Sequence, residues 1–178
     1  MTRAVLSLGS NCGDRAGHLR TAIAALDELV MAVSGGYESP AWGGAGPDGQ
    51  ESGPYLNAIV LAVDAGDDPG VWLQRAGELE QRAGRVRDPA WRYAPRTLDV
   101  DVITVWSADG APVISDAPEF TLPHPRAHLR AFVLRPWLDI QPYAQLPGHG
   151  WVYDLVRADP VAADLPDLRA RADLSLES

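Results

Sequence analysis

The chain has 178 residues, a formal net charge of −9 and a hydrophobic fraction of 46%, and all 15 of its basic residues are arginines. This length favours one domain that can bury a full core without disulfides or a structural metal. An acidic chain lacks the basic surface of a general nucleic-acid binder, so we expect no nucleic-acid partner, although a local arginine cluster can still hold a small anion.

The number of cysteines and the hydropathy of the chain indicate the cellular compartment in which the protein works. The single cysteine, Cys12, cannot form an internal disulfide, which is typical of a protein in the reducing cytosol. The first residues lack the long apolar segment of a signal peptide, and no later run is long enough to cross a bilayer. We therefore expect a cytoplasmic protein with no membrane partner.

The first part of the chain predicts a short buried strand over Arg3–Gly9, then a turn and a helix capped by Asp14. The apolar face of this helix is formed by residues three or four apart: Leu19, Ile23, Leu26, Val30 and Val33. A second strand is predicted around Tyr37–Ser39. Residues 43–54, rich in glycine and proline, predict a long loop, and such loops in compact domains are usually functional or disordered.

A central strand is predicted over residues 55–64, followed by a helix that starts at Asp68 and Pro69 and ends at Gly84. A buried strand, a short extra strand and a helix from about Pro125 come next. The order strand, helix, strand, strand, helix, strand predicts an α+β fold of the ferredoxin-like βαββαβ type. We expect an antiparallel sheet with helices on one face, a C-terminal helical extension, and one domain over the whole chain.

Two aspartates interrupt the apolar strand in the sequence PRTLDVDVITVW, residues 95–106. Because side chains alternate along a strand, Asp99 and Asp101 share one face with Ile103, and the two carboxylates stand roughly 6–7 Å apart. This spacing allows them to share one or two Mg²⁺ ions, which prefer carboxylate oxygens. The alternative is a solvated sheet face on which the aspartates form ion pairs with nearby arginines.

Arginines are concentrated just before the two aspartates: Arg85, Arg87, Arg92 and Arg96. The planar guanidinium matches phosphate oxygens, so carboxylates for magnesium beside arginines for phosphate indicate phosphoryl transfer. Ion pairing with neighbouring acidic residues is the alternative for these arginines. Taken alone, His124 between two prolines is more often structural than catalytic.

Four segments, LSLGSNCGDR, YLNAIV, GRVR…PRTLDVDVI and LPHPRAHLRAFVLRPW, resemble in order and spacing the 6-hydroxymethyl-7,8-dihydropterin pyrophosphokinase family of folate biosynthesis. The resemblance covers about residues 4–142. It implies transfer of the β,γ-pyrophosphoryl unit of ATP to the hydroxymethyl oxygen of 6-hydroxymethyl-7,8-dihydropterin, with AMP as the second product. It also implies two Mg²⁺ ions that bridge the phosphates, these two small molecules as the only partners, and a monomer.

The resemblance also implies residue roles, position by position. It assigns the metal ions to Asp99 and Asp101, and it assigns catalytic charge neutralisation on the phosphates to Arg85 and Arg96. Residues implied to contact the nucleotide are Glu80, Arg85, Arg96, His124 and Arg130. Residues implied to hold the pterin are Tyr55 and Phe132 by stacking, Asn57 by hydrogen bonding, and the backbone of Ser39, Pro40 and Trp42.

Residues 43–54 and 84–95 are implied to be lids that fold over the reactants and exclude water. Three positions differ from the family pattern on the nucleotide side: Gly77, Tyr93 and Glu119. They bear on how the base and ribose of ATP are held, while the pair of aspartates keeps the pattern.

Two other classes of protein remain open at this stage. A magnesium-dependent phosphohydrolase would use the same carboxylates and arginines, but it needs a water-activating base beside them, and none is evident in the sequence. A ferredoxin-like binding module for RNA or a regulatory ligand would need aromatic and basic residues interleaved on a strand, which this acidic chain lacks.

Overall fold

The computed structural model describes residues 1–41, 52–84 and 94–176. Strand β1 (Thr2–Ser10) leads to helix α1 (Arg15–Leu26), and the Asp14 carboxylate accepts a hydrogen bond from the Gly17 N–H, which confirms the predicted cap. The helix ends earlier than its apolar spacing predicts, because Asp27 adopts a φ of 44° and a 3₁₀ turn follows. Val30–Val33 form strand β2, so their assignment to the helix is wrong.

The predicted central elements are present: strands β3 (Tyr37–Ser39) and β4 (Tyr55–Asp64), helix α2 (Val71–Arg82) and strand β5 (Asp99–Trp106). Helix α2 begins after Pro69 rather than at it. The Asp68 carboxylate accepts a hydrogen bond from the Gly70 N–H, which closes a turn before the helix instead of capping it. Gly84 lies beyond the helix end with a φ of 69°, as expected of a terminating glycine.

The rest of the chain contains more regular structure than its sequence pattern indicates. Its elements are β6 (Ser115–Ala117), β7 (Phe120–Leu122), α3 (Ala131–Ile140), β8 (Gln145–Leu146), β9 (Gly150–Trp151), α4 (Val152–Arg157), α5 (Val161–Asp164) and β10 (Arg169–Ala170). The helix expected from about Pro125 begins at Ala131, because a 3₁₀ turn over Ala127–Leu129 and an extended Arg130 precede it. None of the helices in the described ranges has the length and apolarity to span a membrane.

The main sheet has the strand order β10-β3-β4-β1-β5, with β2 also paired to β4, and every pairing in it is antiparallel, as predicted. The strand β10 is an addition that the sequence did not indicate. It pairs Arg169 with Glu38 and Ala170 with Tyr37, so residues of the C-terminal tail extend the sheet beyond β3.

Both faces of this sheet are covered, so the expectation of helices on one face describes only part of the molecule. Helices α1 and α2 cover one face, where Leu6 and Val102 are buried with Trp72. Helix α3 and the C-terminal elements cover the other, where Val5, Ile59 and Ile103 are buried with Trp137. The second cover is needed because the central strands carry apolar side chains on both faces.

Candidate active site

A cavity opens on the α3 face of the sheet, where β1 ends and where β4 and β5 begin. The register accounts for its composition: Gly9 is paired with Asn57 on one side and with Asp99 on the other, and Ser7 is paired with Asp101. Since alternate residues share a face, the same strand faces that are apolar beneath α3 become polar at this end. The cavity is lined by most of the predicted site residues: Ser39, Pro40, Tyr55, Asn57, Arg96, Asp99, Asp101, Arg130 and Phe132.

The two aspartates alternate with buried neighbours as the sequence predicts. The side chains of Asp99 and Asp101 are 22% and 31% exposed and line the cavity, while Val100 and Val102 are buried against α1 and α2. The carboxylate of Glu80, on α2, accepts a hydrogen bond of 2.9 Å from the Val100 N–H, which fixes the backbone between the two aspartates.

The segment that leads into β5 is fixed from the other side by Asn11. The Arg96 N–H donates to Asn11 Oδ1 over 2.7 Å, and the Asn11 N–H donates to the Arg96 carbonyl over 3.1 Å. Asn11 is buried and belongs to the turn after β1. The position of Arg96 is therefore determined by backbone contacts and not by its side chain alone.

Each aspartate is paired with an arginine. Arg96 Nη1 donates to Asp99 Oδ2 and Arg130 Nη1 donates to Asp101 Oδ2, both over 2.7 Å. Desolvation of Arg96 by burial opposes its charge, but the charge and hydrogen bond of Asp99, together with Tyr55 and Asp101, outweigh that effect and raise the pKa of Arg96. Each carboxylate thus has a guanidinium partner within the cavity.

His124 lies on the other side of Asp101, with its Nε2 atom 3.8 Å from Asp101 Oδ2. Desolvation by burial lowers the pKa of His124 below its ordinary value despite the opposing charge of Asp101, so the imidazole is neutral at pH 7 and this contact is no ion pair. The Arg126 N–H donates to His124 Nδ1, so the single ring proton resides on Nε2. Nε2–H is thus a donor held beside the carboxylate.

The donor set at the two aspartates fits magnesium. Two carboxylates on one strand face supply the hard oxygen ligands that Mg²⁺ prefers, and substrate phosphates and water usually complete its shell. Among the described residues, no group of three or more His, Cys, Asp or Glu side chains forms a ready-made metal cluster. A cation at this position would therefore depend on a phosphate-bearing substrate for its remaining ligands.

The uncharged half of the cavity is built around Asn57, which is 3% exposed. Its Nδ2 atom donates to the Tyr37 carbonyl over 3.1 Å and to Ser39 Oγ over 3.0 Å, which directs the carbonyl oxygen Oδ1 as an acceptor toward Gly9. A Cβ atom on Gly9 would lie 3.4 Å from this oxygen, so glycine keeps the space in front of it open. Tyr55 from β4 and Phe132 from α3 bring aromatic rings to the same cavity.

Arg130 connects the two halves, because its guanidinium also lies 5.4 Å from the centre of the Phe132 ring. A second cavity, on the far side of β5, shares Asp101 with the first cavity, includes His124 in its lining, and reaches the β6–β7 hairpin at Glu119. A Cβ atom added to Gly77, on α2, would have no neighbouring atom within 4 Å.

Some predicted site residues are not brought to the cavity, and some lining residues were not predicted. Glu80 is buried and bonds to the strand backbone instead of facing the cavity. Arg85, Trp42 and Tyr93, with most of the two proposed lids, lie outside the described residues. The lining residues that sequence reasoning missed are Ser7, Gly9 and Arg126. Pairing of the first strand with PRTLDVD would have indicated Ser7 and Gly9.

Comparisons with known proteins find similar sequences over most of the chain. A family model described as 7,8-dihydro-6-hydroxymethylpterin-pyrophosphokinase (HPPK) matches residues 5–142. The 2-amino-4-hydroxy-6-hydroxymethyldihydropteridine pyrophosphokinase of Mycobacterium tuberculosis is 49% identical over 82% of this chain and 76% of its own length. The enzyme of the same name from Methylorubrum extorquens is 37% identical over 90% of this chain and 96% of its own length.

Solved structures show the likeness of the fold. An HPPK-DHPS chain crystallised in complex with substrates matches 95% of this chain with a TM-score of 0.63 at 10% identity. Wild-type Plasmodium falciparum HPPK-DHPS with pteroate matches 95% with a TM-score of 0.61, also at 10% identity. The match covers 46% and 47% of those chains, so this chain spans just under half their length.

Proposed function

We propose a mechanism for this chain from the premise that it belongs to the 7,8-dihydro-6-hydroxymethylpterin-pyrophosphokinase (HPPK) family. It is an ATP-dependent pyrophosphokinase of folate biosynthesis, which transfers pyrophosphate from ATP to the hydroxymethyl group of 6-hydroxymethyl-7,8-dihydropterin. The observation that carries the mechanism is the register at Gly9, which has the uncharged pocket at Asn57 on one side and the carboxylate of Asp99 on the other.

In this proposal Asp99 and Asp101 hold two Mg²⁺ ions together with the phosphates of ATP. When bound, the metal supplies positive charge to the phosphate oxygens as negative charge develops on the leaving AMP. Arg96 and Arg130, which pair with the aspartates, lie close enough to contact the ATP phosphates at this position. They can turn from carboxylate to phosphate oxygens without leaving a buried charge unpaired.

Three side chains of the charged half donate to the phosphates in this proposal. Arg96 is the catalytic arginine, because a fixed cation at the bridging oxygen stabilises the transition state more than the ground state. Arg130 and the Nε2–H of His124 donate beside it. Arg85 keeps the catalytic and nucleotide-binding role that the resemblance implies.

The pterin occupies the uncharged half in this proposal. Asn57 Oδ1 accepts a hydrogen bond from the N–H edge of the ring, because its Nδ2 atom already donates to the Tyr37 carbonyl and to Ser39. The flat ring stacks between Tyr55 and Phe132. The backbone at Ser39 and Pro40 closes the pocket, together with Trp42 as the resemblance implies.

The second cavity is proposed to receive the base and ribose of ATP, because it shares Asp101 and His124 with the phosphate region. Glu119 would then face this part of the nucleotide. Glu80 acts through the Val100 N–H and so orients the two aspartates instead of contacting ATP.

We also propose a ferredoxin-like βαββαβ unit, one domain over the whole chain, and a monomeric cytoplasmic enzyme. The antiparallel order β3-β4-β1-β5 with α1 and α2 on one face supports the first point. Burial of Leu176 with the residues of α1 supports a single domain.

The metal assignment is tested by Asp99→Ala and Asp101→Ala, with Asp99→Asn and Asp101→Asn as isosteric controls for folding. Each alanine variant is expected to lose at least about a thousandfold in pyrophosphoryl transfer, since metal ions supply several kcal/mol of charge stabilisation. Circular dichroism and thermal unfolding should remain those of a folded protein. Wild-type turnover in either purified alanine variant would reject the assignment.

A further inference from the structure

A buried tyrosine joins the strand beside the pocket to the far end of helix α3. Tyr37, which is 8% exposed, donates a hydrogen bond of 2.5 Å from its hydroxyl to Asp139 Oδ2. Arg135 donates to the other oxygen of the same carboxylate, and its guanidinium lies 6.0 Å from the centre of the Tyr37 ring. We refer to the hydrogen bond between Tyr37 and Asp139 as the β3–α3 link.

The Tyr37 end of this link belongs to the backbone that orients Asn57. Tyr37 is paired with Asn57 in the β3–β4 register, and its carbonyl accepts one of the two hydrogen bonds from Asn57 Nδ2. The other acceptor, Ser39 Oγ, lies two residues further along the same strand. A shift of Tyr37 therefore moves both acceptors of the amide and changes the direction of Asn57 Oδ1.

The Asp139 end belongs to the helix that supplies Phe132. Phe132, Arg135 and Asp139 are spaced by three and four residues, which puts them on one face of α3. Phe132 lines the cavity together with Ser39 and Pro40, so this helix face is turned toward β3. Both residues belong to the same helix, so fixing Asp139 against Tyr37 constrains where Phe132 stands, even though Pro136 removes one backbone hydrogen bond between them.

We propose that Tyr37 and Asp139 are positioning residues for the pterin, because the β3–α3 link sets the gap between Phe132 on α3 and Asn57 on β4. The inference rests on the proposed function, which takes this gap as the pterin pocket. A pocket held at its bound width loses less conformational freedom when the ring enters, so the link acts on affinity and not on chemistry. Neither residue touches the reacting atoms.

Burial of the link keeps it intact across the working pH range. Desolvation, the hydrogen bond to Asp139 and the charge of that carboxylate together raise the pKa of Tyr37 to about 12. The tyrosine hydroxyl therefore remains a donor at neutral pH. The carboxylate of Asp139 is 31% exposed, so its replacement disturbs the core less than replacement of the tyrosine ring would.

The test compares Tyr37→Phe with Tyr143→Phe, in which an 85% exposed tyrosine loses the same hydroxyl. In the full chain with saturating Mg-ATP, Tyr37→Phe is expected to raise the KM for the pterin about five- to tenfold. The kcat and the KM for ATP should stay within twofold of wild type, and Tyr143→Phe should match wild type throughout. An unchanged pterin KM in Tyr37→Phe, even with a lowered Tm, would overturn the inference by leaving only a structural role.

Two further variants keep the inference falsifiable if Tyr37→Phe folds poorly. Asp139→Ala removes the acceptor from the helix end and should raise the pterin KM by a similar factor, whereas Asp139→Asn keeps an acceptor oxygen and should recover most of the affinity. The double variant Tyr37→Phe/Asp139→Ala should lose no more than either single variant, because both remove one link. Additive losses, or no recovery in Asp139→Asn, would overturn the proposal.

Asn57→Ala separates failure of this inference from failure of the proposed function. If Asn57→Ala weakens pterin binding while Tyr37→Phe and Asp139→Ala do not, the pocket assignment stands and the β3–α3 link is rejected. If Asn57→Ala leaves the pterin KM unchanged, the pocket assignment fails, and the proposed link fails with it.

Discussion

The two aspartates and Arg96 of the charged half come from one short stretch, residues 96–101, and Arg130 and His124 join them from the segment between β7 and α3. The uncharged half is drawn from β3, β4 and α3. In the first half, arginines and aspartates pair with each other and remain partly exposed. In the second, Asn57 and Ser39 are buried and hydrogen-bonded to neighbouring strands. The candidate metal ligands can therefore come from one contiguous segment, while recognition of the acceptor depends on how separate elements pack.

After the two aspartate variants, the largest effect is expected from Arg96→Ala, which tests whether Arg96 acts on the rate of transfer and not on pterin affinity. Loss of one positioned donor to a developing oxyanion costs about 10²- to 10³-fold in kcat. We expect that loss, with pterin affinity within about twofold of wild type because Arg96 belongs to the phosphate half. Steady-state kinetics with each substrate varied in turn would show it. An unchanged kcat with weakened pterin binding would contradict the assignment of Arg96 to the phosphate half.

The next effect concerns stability of the sheet edge that carries the uncharged half. Leu176 is 4% exposed, and an added Cβ on Gly36 would lie 3.7 Å from it and 3.2 Å from Leu56. Leu176→Ala should lower the free energy of unfolding by about 2–3 kcal/mol, at the lower end for buried leucines. Leu73→Ala, at a 39% exposed leucine, is the control in thermal unfolding and should be much milder. Equal effects would mean that the tail is not part of the core.

A smaller effect is expected from Phe132→Ala, which should weaken pterin binding and leave ATP binding in the charged half unchanged. Loss of an aromatic stacking partner is worth about 0.5–1.5 kcal/mol beyond buried area, so we expect pterin affinity to fall by roughly tenfold. The KM for ATP should change little. Calorimetric titration of the pterin in the presence of magnesium and a non-reactive ATP analogue measures this. A larger loss for ATP than for pterin would contradict the assignment.

The smallest effect concerns a histidine pair that belongs to neither half. The rings of His128 and His149 stack with centroids 4.0 Å apart. Burial first, and then the charge of His149, lower the pKa of His128 in the folded chain, so the unfolded chain binds the proton more readily. This contribution to stability is therefore present above about pH 6.5 and is lost as the pH falls below it. The Tm should therefore depend slightly less on pH between pH 5 and 7 in His128→Gln than in the wild type. An unchanged dependence would contradict a lowered pKa of His128 in the folded chain.

The two halves also differ in how far the sequence predicts them. Alternation within one strand puts Asp99 and Asp101 on the same face, because that geometry depends on local backbone only. Arg96 precedes the strand, and its backbone is held by Asn11 from the turn after β1. The pairing of Asn57 with Gly9 and the approach of Phe132 depend on strand register and helix docking. Only the family resemblance indicated Asn57 and Phe132, and nothing indicated Gly9.

The errors in the fold have similar causes. Val30 and Val33 continue the three- and four-residue spacing of α1, so periodicity could not separate strand β2 from the helix. Strand β10 has two residues, too few for an alternating pattern, and its pairing with β3 depends on tertiary contacts. The hydrogen bond from the Val100 N–H to Glu80 likewise depends on how α2 packs against β5, and it has no signature in the sequence.

The account requires both halves of the cavity to be filled before ATP is cleaved. The most direct measurement is therefore AMP formation by the wild-type protein with Mg²⁺, ATP and 6-hydroxymethyl-7,8-dihydropterin, each omitted in turn. We predict that AMP appears only when all three are present, in amounts equal to the pterin diphosphate formed. AMP or ADP formed at the same rate without the pterin would contradict the account and would indicate a phosphohydrolase.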